Sequence, residues 1–109
     1  MKIYDYCATE IAKMIKEKKL TSSEVVEELS KRIDRVDDKI GAYVSLNKDS
    51  ALEFAKELDE KEPNSKLYGV PVALKDNIVS YKEKTTAASK ILKDYVGTYD
   101  ATVVKRMKK

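Results

Sequence analysis

The 109-residue sequence predicts an α/β fold, and three hydrophobic patterns carry this prediction. Apolar residues recur with helical spacing in two stretches within residues 8–40 and again in residues 51–58. Residues 42–46 are short, β-branched and aromatic, as in a strand, and residues 70–74 form an uninterrupted apolar run, as in a strand covered on both faces. The order of helix, strand, helix and strand is that of an α/β domain.

Two amphipathic helices are expected within about residues 8–40. In the first, an apolar stripe runs from Ala8 to Ile15 at the spacing i, i+3, i+4, i+7, with lysines on the opposite side. The second opens with the capping-box sequence Thr21–Ser22–Ser23–Glu24 and continues with apolar residues at alternating spacings of three and four as far as Ile40. Gly41 then predicts the end of this helix.

The rest of the chain is expected to form strand, helix and strand over about residues 42–76, then a loop and a helix over about residues 100–109. Asp49 or Ser50 would begin the middle helix, which ends before Pro63. Residues 91 and 92 predict a further short helix, and Asp100 would open the last one. The length suits a single domain over residues 1–109.

The composition excludes several classes of site. Without histidine there is no Ser-His-Asp or Cys-His machinery, and one cysteine permits neither an internal disulfide nor a Cys/His zinc cluster. Four basic residues follow residue 104, and the rest of the chain carries 18 basic and 19 acidic side chains. No basic nucleic-acid surface is therefore expected, nor any metal or cofactor site or membrane segment in this chain.

Lys75 is the candidate catalytic residue. It follows the predicted strand of residues 70–74, and ligands of open α/β sheets gather beyond the carboxyl ends of strands. A lysine held among apolar neighbours loses solvation of its charged form and, once neutral, can serve as a base. The alternative is that Lys75 extends into water and pairs with Asp76, the commoner fate of a lysine at a strand end.

Hydroxyl and carboxylate side chains near Lys75 are weaker candidates. Thr85, Thr86 and Ser89 place three hydroxyls in a loop expected on the same side as Lys75, although Thr86 also suits the cap of a short helix. Asp76 could orient Lys75 or cap a turn.

Three segments resemble the amidase signature family. Residues 67–78 contain the Gly-x-Pro-x-x-x-Lys-Asp core that many amidases share, and the likeness continues through residues 85–92 and 99–104. With the amino-terminal helices it covers the whole chain, and within the family it is most similar to the glutaminase subunits of tRNA-dependent amidotransferases. The fold it implies is the amino-terminal fragment of an amidase domain, with helices followed by strands of a larger mixed sheet.

The resemblance also implies a Ser/cis-Ser/Lys triad in which Lys75 is the lysine. Asp76, Thr85, Thr86 and Ser89 are the candidates for residues that support it. The two serines belong to a Gly-Gly-Ser-Ser-Gly-Gly-Ser segment that this sequence does not contain, so the 109-residue chain is expected to be inactive alone. Ammonia from glutamine would pass to a partner that binds ATP and magnesium and acts on Glu-tRNA(Gln) or Asp-tRNA(Asn). The expected partners are the B and C subunits of a heterotrimer in the cytoplasm.

Two alternatives stay open. The chain could belong to a stand-alone amidase for small amides, which B and C partner genes beside it would argue against. It could instead be a non-catalytic interaction module. A strand of residues 70–74 without flanking strands would expose an edge and an apolar face, so self-association is expected of the 109-residue chain.

Overall fold

The computed structural model describes residues 2–109 and groups them into two compact units, one ending at Val72 and the other comprising Ala73–Lys109. After a short 3₁₀ turn at Ile3–Asp5, four helices follow in chain order. They are α1 (Ala8–Lys16), α2 (Ser22–Ile40), α3 (Lys48–Asp59) and α4 (Thr102–Lys108). No helix within residues 2–109 is long and apolar enough to cross a bilayer.

Local hydrogen bonds define where α1 and α2 begin and end. At the start of α1 the Cys7 main-chain N–H donates to the Glu10 carboxylate at 2.8 Å. At the start of α2 the Thr21 hydroxyl accepts from the Glu24 N–H at 3.2 Å, and the Glu24 carboxylate accepts from the Thr21 N–H at 2.8 Å. This reciprocal pair is the capping box that the sequence predicted. Gly41 ends α2 in the left-handed region, with φ +65°.

The core of the first unit is small and lies between α1 and α2. Ile11, Ile15 and Val25 are buried against one another, and Val25 has no exposed surface. Partly buried apolar side chains surround them: Ile3, Tyr6, Met14, Leu20, Leu29, Tyr68 and Val70. The core therefore includes residues that follow α3 in the chain, as well as the two helices.

The carboxylate of Asp59, the last residue of α3, caps the N-terminus of α2. It accepts from the main-chain N–H groups of Ser22 at 2.7 Å and Ser23 at 3.3 Å, and from the Ser23 hydroxyl at 2.5 Å. The first N–H groups of a helix lack partners within the helix, and a negative charge there is favoured by the helix dipole. The end of α3 is thus tied to the start of α2.

The segment Leu67–Val70 packs on the same helices through Gly69. The Ser22 hydroxyl, buried at the start of α2, donates to the Gly69 carbonyl at 2.6 Å, and the Tyr68 hydroxyl donates to the Leu58 carbonyl at 2.6 Å. Gly69 has φ +79°, and a Cβ there would lie 3.1 Å from the Ile15 side chain and 3.2 Å from Ser22 Cβ. Glycine is required for both the backbone conformation and the close approach.

The two predicted strands are not confirmed. Within residues 2–109 there is no strand, and pairing is limited to isolated bridges of Tyr81 with Gly97 and Lys84 with Val96. Residues 42–46 and 70–74 have no ladder partner, and Val72, with 58% of its surface exposed, is not covered on both faces as predicted. An apolar run predicts a segment that is suited to burial. A strand forms, however, only where a neighbouring strand pairs with its main-chain N–H and C=O groups.

The second unit is held by main-chain and carboxylate hydrogen bonds. Gly97 makes two main-chain hydrogen bonds: its carbonyl accepts from the Lys82 N–H at 2.8 Å, and its N–H donates to the Glu83 carbonyl at 2.9 Å. The Asp100 carboxylate accepts from the Tyr81 N–H at 2.7 Å and from Lys108 Nζ at 3.0 Å. Because its carboxylate binds these two groups, Asp100 does not open α4 as predicted, and the helix begins at Thr102. Residues 91–94 form turns, not the predicted short helix.

Gly69 and Gly41 provide a matched pair for testing the close approach. Both have positive φ, but a Cβ at Gly41 meets nothing within 4 Å. We expect Gly41→Ala to lower the free energy of unfolding by about 1–2 kcal/mol from backbone strain alone. Gly69→Ala should cost roughly 2–5 kcal/mol, because overpacking is added to the same strain. Urea unfolding followed by circular dichroism measures both, and equal losses would contradict the packing argument.

Acid should release the Asp100 interaction. The Tyr81 N–H and, next, the Lys108 ammonium lower the pKa of Asp100. A carboxyl whose pKa is lower in the folded state stabilises that state above its unfolded pKa of about 3.9, and this contribution is lost as pH falls through the folded value. We expect protection of the Tyr81 amide to hold from neutral pH to about pH 5 and to fall in stronger acid. Hydrogen exchange by NMR measures this, and Asp100→Asn should leave a lower protection that no longer follows the carboxyl titration.

Candidate active site

Lys75 lies at the start of a turn in the second unit. Its main-chain carbonyl accepts from the Ile78 N–H at 2.9 Å, and its side chain is exposed. The burial among apolar neighbours that the sequence suggested is therefore not present within residues 2–109. The Lys75 amine forms no hydrogen bond or ion pair with any described residue, so the alternative in which it pairs with Asp76 is not observed either.

The side chain of Asp76 turns instead to the loop of residues 86–88. Its carboxylate accepts from the Thr86 N–H at 2.8 Å, from the Thr86 hydroxyl, and from the Ala88 N–H at 3.5 Å. Its main-chain carbonyl accepts from the Ala87 N–H at 3.0 Å. We call this set of bonds between Asp76 and residues 86–88 the Asp76 clamp. It ties residues ten to twelve positions later in the chain to the immediate neighbour of Lys75.

The clamp keeps the Asp76 carboxylate ionised. The Thr86 hydroxyl, and after it the Thr86 N–H, hold the pKa of Asp76 below its ordinary value; burial opposes them, and the Ala88 N–H adds the smallest lowering effect. Hydrogen bonds to the charged form of a carboxyl favour that form. At neutral pH Asp76 is consequently an acceptor only, which matches the donors that face it.

Two alanines in the clamped loop have left-handed backbones. Ala87 has φ +49° and Ala88 has φ +57°, a region that costs an L-residue roughly 1–2 kcal/mol. Strained residues of this kind persist only where the surrounding structure determines them, and they occur often at functional sites. The clamp supplies that restraint. The sequence carries no signal for this feature, because alanine is not a residue that predicts positive φ.

Thr85 and Thr86 are both buried, but only Thr86 has its hydroxyl paired. Thr86 is 7% exposed and bonds to Asp76, so the prediction that it caps a helix is wrong. Thr85 is 9% exposed, and its hydroxyl has no hydrogen-bond partner within residues 2–109. The Thr85 N–H donates to the Tyr95 carbonyl at 3.1 Å, which fixes the backbone beside this hydroxyl. Buried hydroxyls are nearly always paired, so the Thr85 hydroxyl is an exception among the described residues.

Ser89 lies in the turn that follows the clamp. Its N–H donates to the Thr86 carbonyl at 2.8 Å, its carbonyl accepts from the Leu92 N–H at 3.1 Å, and its side chain is half-buried. The structure thus brings Asp76 and Thr86 into direct contact, with Lys75 and Thr85 as their chain neighbours. Within residues 2–109 no three acidic or cysteine side chains form a cluster that could hold a metal ion.

Comparison with known proteins gives one consistent result. The Amidase family model matches residues 24–109. The chain is 44% identical over 97% of its length to the A subunit of the glutamyl-tRNA(Gln) amidotransferase from Fusobacterium nucleatum. It is 46% identical to the protein of the same name from Clostridium novyi and 41% identical to that from Listeria welshimeri, over 99% of its length in both cases. In each comparison the chain spans 23% of the relative's length.

The matched region contains Lys75, the Asp76 clamp and the whole of α3. Because the family model matches most of the chain and the identities extend over nearly all of it, the chain belongs to the Amidase family.

Proposed function

We propose that this chain is part of a longer glutaminase subunit of a tRNA-dependent amidotransferase, and that Lys75 is its catalytic base. The observation that supports this most directly is the 40–46% identity to the A subunits of glutamyl-tRNA(Gln) amidotransferases over at least 97% of the chain. The exposure of Lys75 and the ordered turn beside it agree with a side chain that meets groups from outside residues 2–109.

In the proposed reaction Lys75 accepts a proton through a bridging serine from a nucleophilic serine. The serine oxygen bonds to the carboxamide carbon of glutamine, the carbon–nitrogen bond breaks, and the proton leaves with the nitrogen as ammonia. Water then hydrolyses the resulting acyl-enzyme to glutamate. We place both serines outside this chain, because it contains no Gly-Gly-Ser-Ser segment, and we expect the 109-residue chain alone to be inactive.

We also propose the setting of this reaction. The longer protein would work in the cytoplasm with B and C subunits, and the partner that uses the ammonia would bind ATP and magnesium and amidate Glu-tRNA(Gln), Asp-tRNA(Asn) or both. The relatives' name, which makes each of them one subunit of an amidotransferase, supports a complex of several subunits. Within the longer protein we propose that residues 70–74 pair with further strands of a mixed sheet, which would cover Val72 and Leu74.

The alternative within the family is a stand-alone amidase for small amides. The two functions differ in what the complete protein does without partners: an amidase hydrolyses small amides alone, whereas an amidotransferase converts misacylated tRNA only with its other subunits, ATP and glutamine. The names of the relatives favour the amidotransferase.

A surface of the second unit favours an additional binding role. Val104, 3% exposed, is the one large apolar side chain buried within Ala73–Lys109. Several large apolar side chains of this unit are exposed; in chain order they are Leu74, Tyr81, Ile91, Leu92, Tyr95, Val96, Tyr99, Val103 and Met107. Ile91 has 94% of its surface exposed. A group of exposed large apolar side chains is typical of a region that another polypeptide covers.

The catalytic proposal is tested with Lys75→Ala in the complete protein. Because general base catalysis contributes about 10²–10⁴-fold, glutamate release from glutamine should fall by that factor. Lys93→Ala, an exposed lysine of the same unit, is the matched control and should retain wild-type activity. A folded Lys75→Ala protein with wild-type glutaminase activity would show that Lys75 is not the base.

The binding proposal is tested on the 109-residue chain by sedimentation equilibrium. We expect concentration-dependent self-association, which Ile91→Asp should weaken because it places a charge in the apolar surface. Lys93→Asp changes a nearby exposed residue without removing apolar area and is the control. A compact monomer at all concentrations would contradict the proposal.

A further inference from the structure

Building on the proposed function, we propose that Asp76 and Thr86 are positioning residues for Lys75: the clamp fixes the backbone beside Lys75 and holds the Asp76 carboxylate away from its amine. Neither residue is placed in contact with substrate. They act on the reaction only through Lys75.

The clamp restrains the backbone beside Lys75. Four hydrogen bonds from residues 86–88 converge on Asp76, three on its carboxylate and one on its main-chain carbonyl. The Lys75 carbonyl is bound in addition by the Ile78 N–H at 2.9 Å. The Lys75 side chain makes no hydrogen bond or ion pair with any described residue, so the position of its Cα and Cβ is set by the backbone alone. A displacement of about 1 Å at a reacting group can cost 10²-fold in rate.

The clamp also controls which charge lies close to the Lys75 amine. Lys75 and Asp76 are neighbours, and an ion pair between them would stabilise the ammonium form of the lysine, which cannot accept a proton. The structure directs the Asp76 carboxylate to Thr86 and Ala88 instead. No other charged side chain among residues 2–109 forms an ion pair with the Lys75 amine. Thr86 therefore prevents the contact that would keep Lys75 charged.

Thr86 contributes to the clamp through its hydroxyl. Thr86 is 7% exposed, so a valine of the same shape would preserve packing and the main-chain bond to Asp76, and would remove only the bond from the hydroxyl. Serine would keep that bond and lose a methyl group. The pair Thr86→Val and Thr86→Ser consequently separates the hydrogen bond from the packing of the side chain.

The test uses the complete protein with its partner subunits and compares Thr86→Val, Thr86→Ser, Asp76→Asn and Lys75→Ala. Asp94→Asn removes an exposed carboxylate of the same unit and is the charge control. The measurements are kcat and KM for glutamine, the pH profile of kcat/KM, and hydrogen exchange of residues 86–88. All variants are compared at equal folded fraction by circular dichroism.

We expect Thr86→Val to lower kcat at neutral pH by about 10–100-fold with KM changed less than about twofold, because the base is misplaced and not the substrate site. Its pH profile should shift to the alkaline side by about one pH unit, since the Asp76 carboxylate, then held only by the N–H groups of residues 86 and 88, can turn more readily to Lys75. Thr86→Ser should restore the wild-type profile. Asp76→Asn should lower kcat without the alkaline shift and speed exchange of the Thr86 and Ala88 amides, and Asp94→Asn should change nothing.

The outcomes that overturn the inference are distinct from those that overturn the proposed function. If Lys75→Ala is inactive while Thr86→Val keeps the wild-type kcat and pH profile, the positioning role is wrong and the catalytic role of Lys75 stands. If Thr86→Val and Thr86→Ser lower kcat equally and neither shifts the pH profile, Thr86 contributes only through packing. That result would also overturn the positioning role. Unchanged exchange in Asp76→Asn would overturn the clamp itself. Full activity of Lys75→Ala would remove the proposed function and this inference together.

Discussion

The first unit depends on the two hydrogen bonds that Ser22 makes in different directions at the start of α2. Its main-chain N–H donates to Asp59 at the end of α3, and its hydroxyl donates to the Gly69 carbonyl. Ser22 is 2% exposed, so water does not replace these partners, and leaving such a group unpaired would cost about 1–3 kcal/mol. One residue thus joins α2, the end of α3 and the segment Leu67–Val70. The small apolar core of Ile11, Ile15 and Val25 lies beside this junction.

The second unit is stabilised differently, because it buries little apolar surface. Within Ala73–Lys109 the buried side chains include Ser80, Thr85, Thr86 and Val104, of which only Val104 is apolar. Two ionised carboxylates organise it: those of Asp76 and Asp100 accept hydrogen bonds from main-chain N–H groups elsewhere in the unit. The main-chain segments of this unit are therefore held by these hydrogen bonds, while many of its large apolar side chains are exposed.

Sequence reasoning located Lys75 and its neighbours but not the relations among them. The Lys-Asp pair was recognisable from its spacing to Gly69 and Pro71. Whether Asp76 acted on Lys75 or capped a turn could not be decided, since both are compatible with the same local sequence. The clamp depends on a contact between residues ten to twelve positions apart across an irregular loop, for which no periodicity exists. The left-handed alanines at 87 and 88 follow from the same contact.

The sequence by itself determined the helical starts and stops that rest on local chemistry: the capping box of Thr21 and Glu24, the left-handed Gly41, and the apolar stripe of α1. These features need only residues within about one or two turns of each other, so the pattern contains all the partners. The tertiary structure alone decided that residues 42–46 and 70–74 have no strand partner. It also decided that Asp100 bonds to Tyr81 and Lys108 and does not open α4, and that the Asp76 carboxylate accepts a hydrogen bond from Thr86. Each of these outcomes depends on which distant donor is present, and hydrophobic spacing carries no information about that.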